Sequence, residues 1–223
     1  MNAPIDMDHV ASLAADPACA AILTSLLSER AMRAKELSRE SGVPLESVRA
    51  QLDGLGALHL ITPVRQGGRR YFRLAGKDTA RLLQNRFGLR AHPPQARLRT
   101  GPSDPALRRA RSCYGHLAGD LGVWLYDRLI VRGTISFKDG ALELTPAGAR
   151  FLAELGVDVE NADTRPSCRT CLDWSVRRYH LAGDLGRALL AGFFELGWAA
   201  PARGSRAVCF TPSGSTALNE YFG

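Results

Sequence analysis

A seven-residue motif that occurs twice constrains this chain of 223 residues more than any other feature. His116-Leu-Ala-Gly-Asp-Leu-Gly122 recurs unchanged 64 residues later as His180-Leu-Ala-Gly-Asp-Leu-Gly186. A second motif, Thr145-Pro-Ala-Gly148, recurs 66 residues later as Thr211-Pro-Ser-Gly214. Chance does not give two matched pairs of motifs at nearly the same separation, so the C-terminal part of the chain is interpreted as a tandem duplication.

The two copies span residues 106–160 and 168–223 and together form a predicted C-terminal domain. Each copy is predicted to be an α-β-hairpin-α unit: a helix through the His motif, a hairpin, and a helix capped by Thr with Pro in its first position. The first hairpin is expected to turn at Asp139-Gly140 and the second between Pro201 and Ser205. Two copies that each have one apolar face are expected to pack on one another, and their junction is a natural place for a ligand.

Residues 1–88 are predicted to form a winged helix-turn-helix domain. Apolar spacing indicates two short helices, then a helix that ends at Gly42 and another that starts after Pro44. A β-hairpin with a glycine turn and a helix from Asp78 to Phe87 follow. Residues 89–105 contain four prolines and are predicted to be a linker. The predicted fold class is mainly α with small β-hairpins (α+β).

Positive charge is concentrated in the predicted wing and the helix after it. The chain has 29 Lys and Arg against 22 Asp and Glu, a net charge of +7. Residues 65–90 contain eight basic residues and one acid, Asp78, a balance that phosphate binding explains better than an ordinary solvated surface. The predicted partner is double-stranded DNA, which a reading helix with Arg49 and Gln51 favours over RNA, the remote alternative.

The second helix of the pair is predicted to enter the major groove, with Arg49 and Gln51 at base edges and Ser47 on phosphate or base. The hairpin tip is predicted to hold backbone phosphate. Its candidate arginines are Arg65, Arg69, Arg70 and Arg73. Glu46 and Asp53 lie on the same helix and count mildly against its predicted place in the major groove, because carboxylates repel phosphate.

The residues from about 8 to 87 resemble the ArsR (arsenical-resistance repressor) family. The resemblance is carried by Asp16-Pro17, Ala34-Lys-Glu-Leu37, Gly42-Val43, Leu60-Ile61 and the wing Arg65-Gln-Gly-Gly-Arg-Arg-Tyr-Phe-Arg-Leu74. It implies a homodimeric bacterial repressor that leaves a palindromic operator when an effector binds. It also implies dimer contacts through the first and last helices, which map to about Val10–Ala14 and Asp78–Phe87. The duplicated part, with Cys171-Leu-Asp-Trp-Ser175, resembles the C-terminal extension of a longer subgroup.

The chain departs from that family where metal is usually sensed, because the segment Ala31-Met-Arg-Ala-Lys-Glu-Leu37 has no cysteine pair. A metal would have to bind in the duplicated part, through a composite zinc site. The candidate ligands are Cys113, His116, Cys168, Cys171 and His180. An ungapped comparison of the copies places Arg177 opposite Cys113, so the copies are expected to share the histidine but not the thiol.

Other roles remain open for these residues. The Cys168-x-x-Cys171 pair permits reversible oxidation, with a thiolate stabilised by Arg165, Arg169 or a helix N-terminus near Asp173. Inert packing is the other alternative for these two cysteines. A histidine and the aspartate four residues after it, such as His116 and Asp120, are expected to share one helical face. The two histidines of the repeated motif are most simply interpreted as residues of the interface between the copies. Cys19 and Cys209 are expected to be buried. The aromatic residues of the duplicated part are expected to form core or to line an apolar pocket.

These patterns predict a cytoplasmic, homodimeric transcriptional regulator, most simply a repressor, whose C-terminal domain senses a metal ion or a thiol-reactive species. The alternatives are a constitutive DNA-binding architectural or interaction protein without an effector, and a sensor of a small apolar ligand. No export signal, membrane-spanning run or enzyme motif is found in the sequence.

Overall fold

The computed structural model describes residues 7–91, 100–157, 159 and 167–223. The chain folds as two compact units, Met1–Leu98 and Arg99–Gly223, each with its own apolar core. They are called the N-terminal unit and the C-terminal unit. Within the described ranges, no helix has the length and apolar character that crossing a membrane requires.

The N-terminal unit has five helices and one β-hairpin among its described residues. They are α1 (Met7–Ala15), α2 (Pro17–Leu26), α3 (Ala34–Ser41), α4 (Leu45–Ala57), β1 (Ile61–Gln66), β2 (Arg69–Leu74) and α5 (Lys77–Phe87). The predicted order of elements is confirmed. Gly42 ends α3 with φ of 72°, and Gly67 and Gly68 form the hairpin turn with φ of 53° and 70°. Both turns need positive φ, which glycine adopts without steric cost.

Local contacts fix the position of α4 and of the hairpin. Val48, Leu52 and Leu55 form the buried face of α4 in the apolar core. Phe72 pairs with Met32 through two backbone hydrogen bonds of 2.7 and 2.9 Å, which attach β2 to the segment before α3. The hairpin is therefore held by the helical part of the unit and does not project from it as an isolated ribbon.

The C-terminal unit starts with α6 (Pro105–Arg109) and continues in two halves with the same order of elements. The first half, residues 111–157, contains β3 (Arg111–Cys113), β4 (His116–Ala118), α7 (Asp120–Val131), β5 (Ile135–Lys138), β6 (Ala141–Leu144) and α8 (Pro146–Glu154). The second half, residues 168–223, contains β7 (Cys168–Leu172), β8 (Tyr179–Ala182), α9 (Gly183–Glu195), β9 (Ala199–Pro201), β10 (Val208–Phe210) and α10 (Pro212–Phe222). Each strand pairs with its neighbour in a two-stranded antiparallel hairpin.

The predicted helix through the His motif is wrong in both halves. His116 lies in β4 and His180 lies in β8, and the helices begin only at Asp120 and Gly183. Gly119 and Gly183 have φ of 86° and 81°, so the backbone leaves the strand at these glycines before it enters the helix. His116 and Asp120 therefore do not share a helical face.

The predicted helix caps are confirmed. The Thr145 hydroxyl accepts a hydrogen bond of 2.9 Å from the amide of Gly148, and Thr211 caps Gly214 at the same distance. A Cβ at Gly148 would overlap the carbonyl oxygen of Thr134, and one at Gly214 would overlap that of Trp198. The glycine of the Thr-Pro-x-Gly motif thus lets the start of α8 lie against the backbone before β5, and the start of α10 against the backbone before β9.

One apolar core runs through both halves. Leu117, Leu125 and Leu129 from the first half share it with side chains of the second half such as Leu189 and Phe193. The junction is thus filled by side chains of both halves, which does not favour the predicted apolar ligand pocket there. The expectation that Cys209 is buried is wrong, because its side chain points outward from β10 while Val208 points inward.

The end of the predicted linker belongs to the C-terminal unit. The hydroxyl of Thr100 donates a hydrogen bond of 2.6 Å to the carbonyl oxygen of Ser175. The Arg108 guanidinium donates to the carbonyl oxygens of Thr100 and Pro102. Residues 100–105 of the predicted linker are therefore part of the folded unit, whereas its residues 92–99 lie outside the described residues.

Candidate nucleic-acid interface and Cys-His cluster

The outer face of α4 carries the residues that the sequence predicts at base edges, but not in one row. Arg49 is exposed, whereas Ser47 and Gln51 are half-buried. At about 100° per residue, Ser47 and Gln51 lie on one flank of the helix and Arg49 on the other. Ala50, which the sequence reasoning passed over, is exposed between the two flanks, where its methyl group is available to an apolar contact.

The hairpin of β1 and β2 concentrates positive charge at its tip. Arg65 lies directly opposite Arg70, and Gln66 lies opposite Arg69. All three arginines are exposed, and the Arg70 guanidinium lies 4.8 Å from the ring centroid of Phe72. The fourth predicted arginine, Arg73, is half-buried. Like charges directly opposite one another destabilise a hairpin, so this arrangement favours an anionic partner at the tip.

In the C-terminal unit, the structure brings together four of the five candidate metal ligands. They are Cys113, His116, Cys171 and His180, and one potential ligand atom from each lies within 4.8 Å of the others. Cys113 is the cross-strand partner of His116 in the hairpin of β3 and β4. Cys171 is the cross-strand partner of His180 in the hairpin of β7 and β8. Each half of the unit therefore contributes one Cys-His pair.

Both halves have a thiol opposite the histidine, contrary to the expectation from the ungapped comparison. Two residues separate Cys113 from His116, and eight separate Cys171 from His180. The additional residues, which include Arg177, lie in the longer turn of the second hairpin and shift the sequence comparison out of structural register. Cys171 could have been located by a comparison that aligned the paired strands of the two copies and allowed the turns between them to differ in length.

The structure places Cys168 outside the cluster. Side chains alternate between the two faces of a strand, so residues three apart in β7 point to opposite faces. Cys171 faces the cluster, whereas Cys168 packs against the apolar core. Burial raises the pKa of the Cys168 thiol to about 11. The predicted helix N-terminus near Asp173 is wrong as well, because this residue begins the turn of the second hairpin.

Two buried imidazoles meet at the centre of the cluster. The Nε2 atoms of His116 and His180 are 3.1 Å apart, and their ring centroids are 5.0 Å apart. His116 is 5% exposed and His180 is 1% exposed. Within the described residues, Nδ1 of His180 has no hydrogen-bond partner. Hydrogen bonds with Cys171, His116 and His180 hold the pKa of the Cys113 thiol well below its usual range.

The last glycine of each repeated motif lies beside the histidine of the other half. A Cβ at Gly122 in α7 would lie 2.5 Å from the Leu117 carbonyl oxygen and 3.7 Å from Cβ of His180. A Cβ at Gly186 in α9 would lie 2.8 Å from the Leu181 carbonyl oxygen and 3.2 Å from Cβ of His116. The glycine of each half therefore makes room for the backbone carbonyl of the preceding strand in its own half and lies beside the histidine of the other half, which gives the last position of the motif a packing reason.

A buried ion pair anchors the longer turn of the second hairpin to the first half. Arg111 donates to Asp173 at 2.6 Å, and the Gly119 amide donates to the same carboxylate oxygen at 2.8 Å. Burial raises the pKa of Asp173, but hydrogen bonds from Val176 and Ser175 and the charge of Arg111 outweigh it and hold this pKa below its usual range. No local sequence pattern predicts this ion pair.

Comparisons with known proteins found one relative that matches almost the whole chain and a solved structure that matches 40% of it. No protein-family model matches it. The uncharacterized HTH-type transcriptional regulator YdfF of Bacillus subtilis (strain 168) is 33% identical over 214 residues, which cover 95% of each chain. A solution NMR structure from Mycobacterium bovis, of the homodimeric winged helix-turn-helix DNA-binding domain of a possible ArsR-family transcriptional regulator, is 29% identical. It covers 40% of this chain and 85% of its own, with a TM-score of 0.31.

Proposed function

This chain belongs to the family of helix-turn-helix transcriptional regulators, and we propose that it is a repressor that binds a specific operator through α4 and the hairpin of β1 and β2. The observation that carries the proposal is the hairpin tip, where Arg65 faces Arg70 across the strands with Arg69 beside them. The phosphates of DNA would neutralise this cluster, and the released counterions would favour the complex.

The helix and the hairpin have different tasks in this proposal. The exposed face of α4 enters the major groove, where Arg49 and Gln51 contact purine edges and Ser47 contacts phosphate or base. Ala50 lies between them and suits the methyl group of a thymine. The hairpin arginines Arg65, Arg69, Arg70 and Arg73 contact phosphate, so they set affinity and orientation while α4 sets sequence preference.

The active form is proposed to be a homodimer with contacts through α1 and α5. Apolar side chains on these helices, Leu13, Leu82 and Phe87, are only half-buried in the single chain. A dimer would place two copies of α4 about one helical turn of DNA apart and would match a palindromic operator. The dimer is expected to persist without DNA, and sedimentation of the purified chain measures this directly.

The C-terminal unit is proposed to be a tandem duplication that senses an effector, either a metal ion or a thiol-reactive species. Its two halves share the order of elements, the Thr caps and the glycines beside the histidines. An effector would weaken repression if it favoured a dimer geometry in which the two copies of α4 no longer match the half-sites. The Cys-His cluster is the candidate site of that effector.

Selection from random DNA duplexes followed by titration of the recovered operator tests the DNA-binding part. Recovery of one palindrome is expected, whereas recovery of DNA without sequence preference would favour a constitutive architectural protein. Removal of one hairpin charge by Arg69→Ala should lower affinity for all duplexes and reduce the slope of log K against log salt by about 1. Arg49→Ala should instead cost about 1–3 kcal/mol on the operator and relax its sequence preference.

Arg150→Ala is the matched control, because Arg150 is an exposed arginine of α8 in the C-terminal unit and belongs to neither α4 nor the hairpin of β1 and β2. This variant should retain the affinity and the salt slope of the unchanged chain. Equal losses in Arg69→Ala and Arg150→Ala would contradict the proposed interface, because net charge alone would then account for binding.

A further inference from the structure

We propose that Cys113, His116, Cys171 and His180 bind one Zn²⁺ ion that fastens the two halves of the C-terminal unit together. The inference deepens the sensing part of the proposed function and rests on it only for a regulatory role. Binding of the ion itself requires neither DNA nor a dimer, so it is tested separately.

The spacing of the four potential ligand atoms suits a tetrahedral site. Bond lengths of about 2.3 Å to sulfur and about 2.0–2.1 Å to nitrogen require ligand atoms about 3.3–3.8 Å apart. The two Nε2 atoms are 3.1 Å apart, and all four ligand atoms lie within 4.8 Å of one another. Shifts of about 1 Å or less would therefore complete the tetrahedron, which side-chain rotation supplies without a change of fold.

The chemistry of the donors selects the ion. Two thiolates and two imidazoles form one of the usual ligand sets of structural zinc. Magnesium and calcium prefer oxygen ligands, and the cluster contains none. Four protein ligands also leave no open position for water or substrate, so the site is suited to holding structure together and not to catalysis.

The two histidines are difficult to explain as ordinary core residues. Each is at least nine-tenths buried, and their Nε2 atoms face each other at 3.1 Å. At most one proton fits between these atoms, so two neutral imidazoles can meet there only if one donates to the other. An ion between the rings would use the lone pairs of both Nε2 atoms and would remove the need for the shared proton.

The backbone presents the four side chains as two matched pairs. In each hairpin the cysteine is directly opposite the histidine, so one face of a two-stranded ribbon offers one sulfur and one nitrogen. The strands β4 and β8 lie side by side in the unit, which brings the two pairs together. An ion bound to both pairs would link the halves at the point where their repeated motifs meet.

The first measurement is the metal content of untagged full-length protein purified without chelator. About one zinc ion per chain is expected for the unchanged protein and for Cys168→Ser. Cys168 is the matched control, because it belongs to the same Cys-x-x-Cys sequence but lies on the other face of β7. Cys113→Ser and Cys171→Ser should each lose most of the zinc. Equal zinc loss in Cys168→Ser and Cys171→Ser, or full retention in Cys171→Ser, would overturn the proposed ligand set.

A second measurement does not depend on the folding of any variant. The unchanged protein is stripped of metal and titrated with Co²⁺, which should give the visible bands of a tetrahedral thiolate complex at one equivalent and lose them on addition of Zn²⁺. Protein that holds no zinc as purified and gives no such bands would overturn the proposal. Formation of a Cys113 to Cys171 disulfide in its place would also overturn it and would indicate redox sensing.

Operator binding by the same samples separates this inference from the proposed function. Protein that binds its operator but takes up neither Zn²⁺ nor Co²⁺ overturns the zinc site and leaves the operator proposal intact. Protein that holds one zinc ion through the four named residues supports the zinc site even if no operator is recovered.

Discussion

The two halves of the C-terminal unit share their order of elements but differ in the turn of the first hairpin. In the first half, Tyr114 and Gly115 alone connect the paired residues Cys113 and His116. In the second half, six residues, 173–178, connect β7 to β8. Both hairpins nevertheless place a cysteine opposite a histidine. Cross-strand pairing thus gives both hairpins the same Cys-His arrangement, although the unequal turns place the two cysteines at different distances from the histidine in the sequence.

The longer turn also has a structural task that the shorter one lacks. It contributes Asp173 and Ser175, which surround the guanidinium of Arg111 from the first half. Trp174 of the same turn lies over that guanidinium, with 5.2 Å between Cζ and the ring centroid. The turn between β7 and β8 therefore holds the hairpin of β3 and β4 in place through Arg111, and no equivalent contact runs the other way from Tyr114 and Gly115 among the described residues. The two halves thus differ in structure despite their repeated motifs.

The largest expected effect tests this asymmetry. Asp173→Asn removes the partner charge of Arg111, whose side chain is 2% exposed, and should lower the free energy of unfolding by about 3–5 kcal/mol. Chemical denaturation of the full chain measures the change. The control is Asp184→Asn in the second His motif, because Asp184 pairs with Arg187 at an exposed position and should change stability far less. Similar losses in the two variants would contradict the special role of the longer turn.

The second prediction tests what the halves have in common. Gly148→Ala and Gly214→Ala each place a methyl group against a backbone carbonyl, so each should cost about 1–3 kcal/mol of unfolding free energy, by similar amounts. Gly54→Ala in α4 is the control, because a Cβ there meets no neighbour within 4 Å. It should be neutral or stabilising by up to about 1 kcal/mol, since alanine favours a helix. A large loss in only one of the two variants would indicate that the halves are built differently at this position.

The third prediction compares the cysteines on the two faces of β7 and depends on the zinc site. Zinc should slow alkylation of Cys171 at least about tenfold relative to metal-free protein, because coordination occupies the thiolate. Cys168 should react slowly with or without zinc, since its pKa of about 11 leaves few thiolates at neutral pH. Mass spectrometry of timed alkylation reactions resolves the two sites. Zinc protection of Cys168 to the same degree as Cys171 would contradict the assignment of faces.

The smallest expected effect concerns the aromatic residue in each turn. Tyr114 is 92% exposed, so Tyr114→Ala should change the unfolding free energy by less than about 0.5 kcal/mol. Trp174 is 42% exposed and lies over the Arg111 guanidinium, so Trp174→Ala should cost about 0.5–1 kcal/mol. Thermal unfolding of both variants beside the unchanged chain sharpens the comparison. A greater loss from Tyr114→Ala would reverse the proposed difference between the two turns.

Local sequence signals predicted the structure correctly where it depends on neighbours in the chain. Gly42, Gly67 and Gly68 marked turns that need positive φ, and Thr145 and Thr211 marked helix starts. These signals act over a few residues, so the order of elements in the N-terminal unit and the two Thr-Pro caps could be predicted. The structure of the His motif was harder to predict, because its apolar spacing suits a helix. The positive φ of Gly119, which separates the strand from the helix, is not apparent in the sequence.

The sequence by itself determined the winged helix-turn-helix order, the basic hairpin, the repeated motifs and the types of residue available for a metal site. The tertiary structure decided that Cys171 and not Cys168 faces the histidines, and that Cys113 has a counterpart in the second half. It also decided that Asp173 holds Arg111. Helix caps and turns are fixed by short-range hydrogen bonds and backbone geometry. The cluster depends on strand register and on the packing of two distant hairpins, which no local pattern specifies.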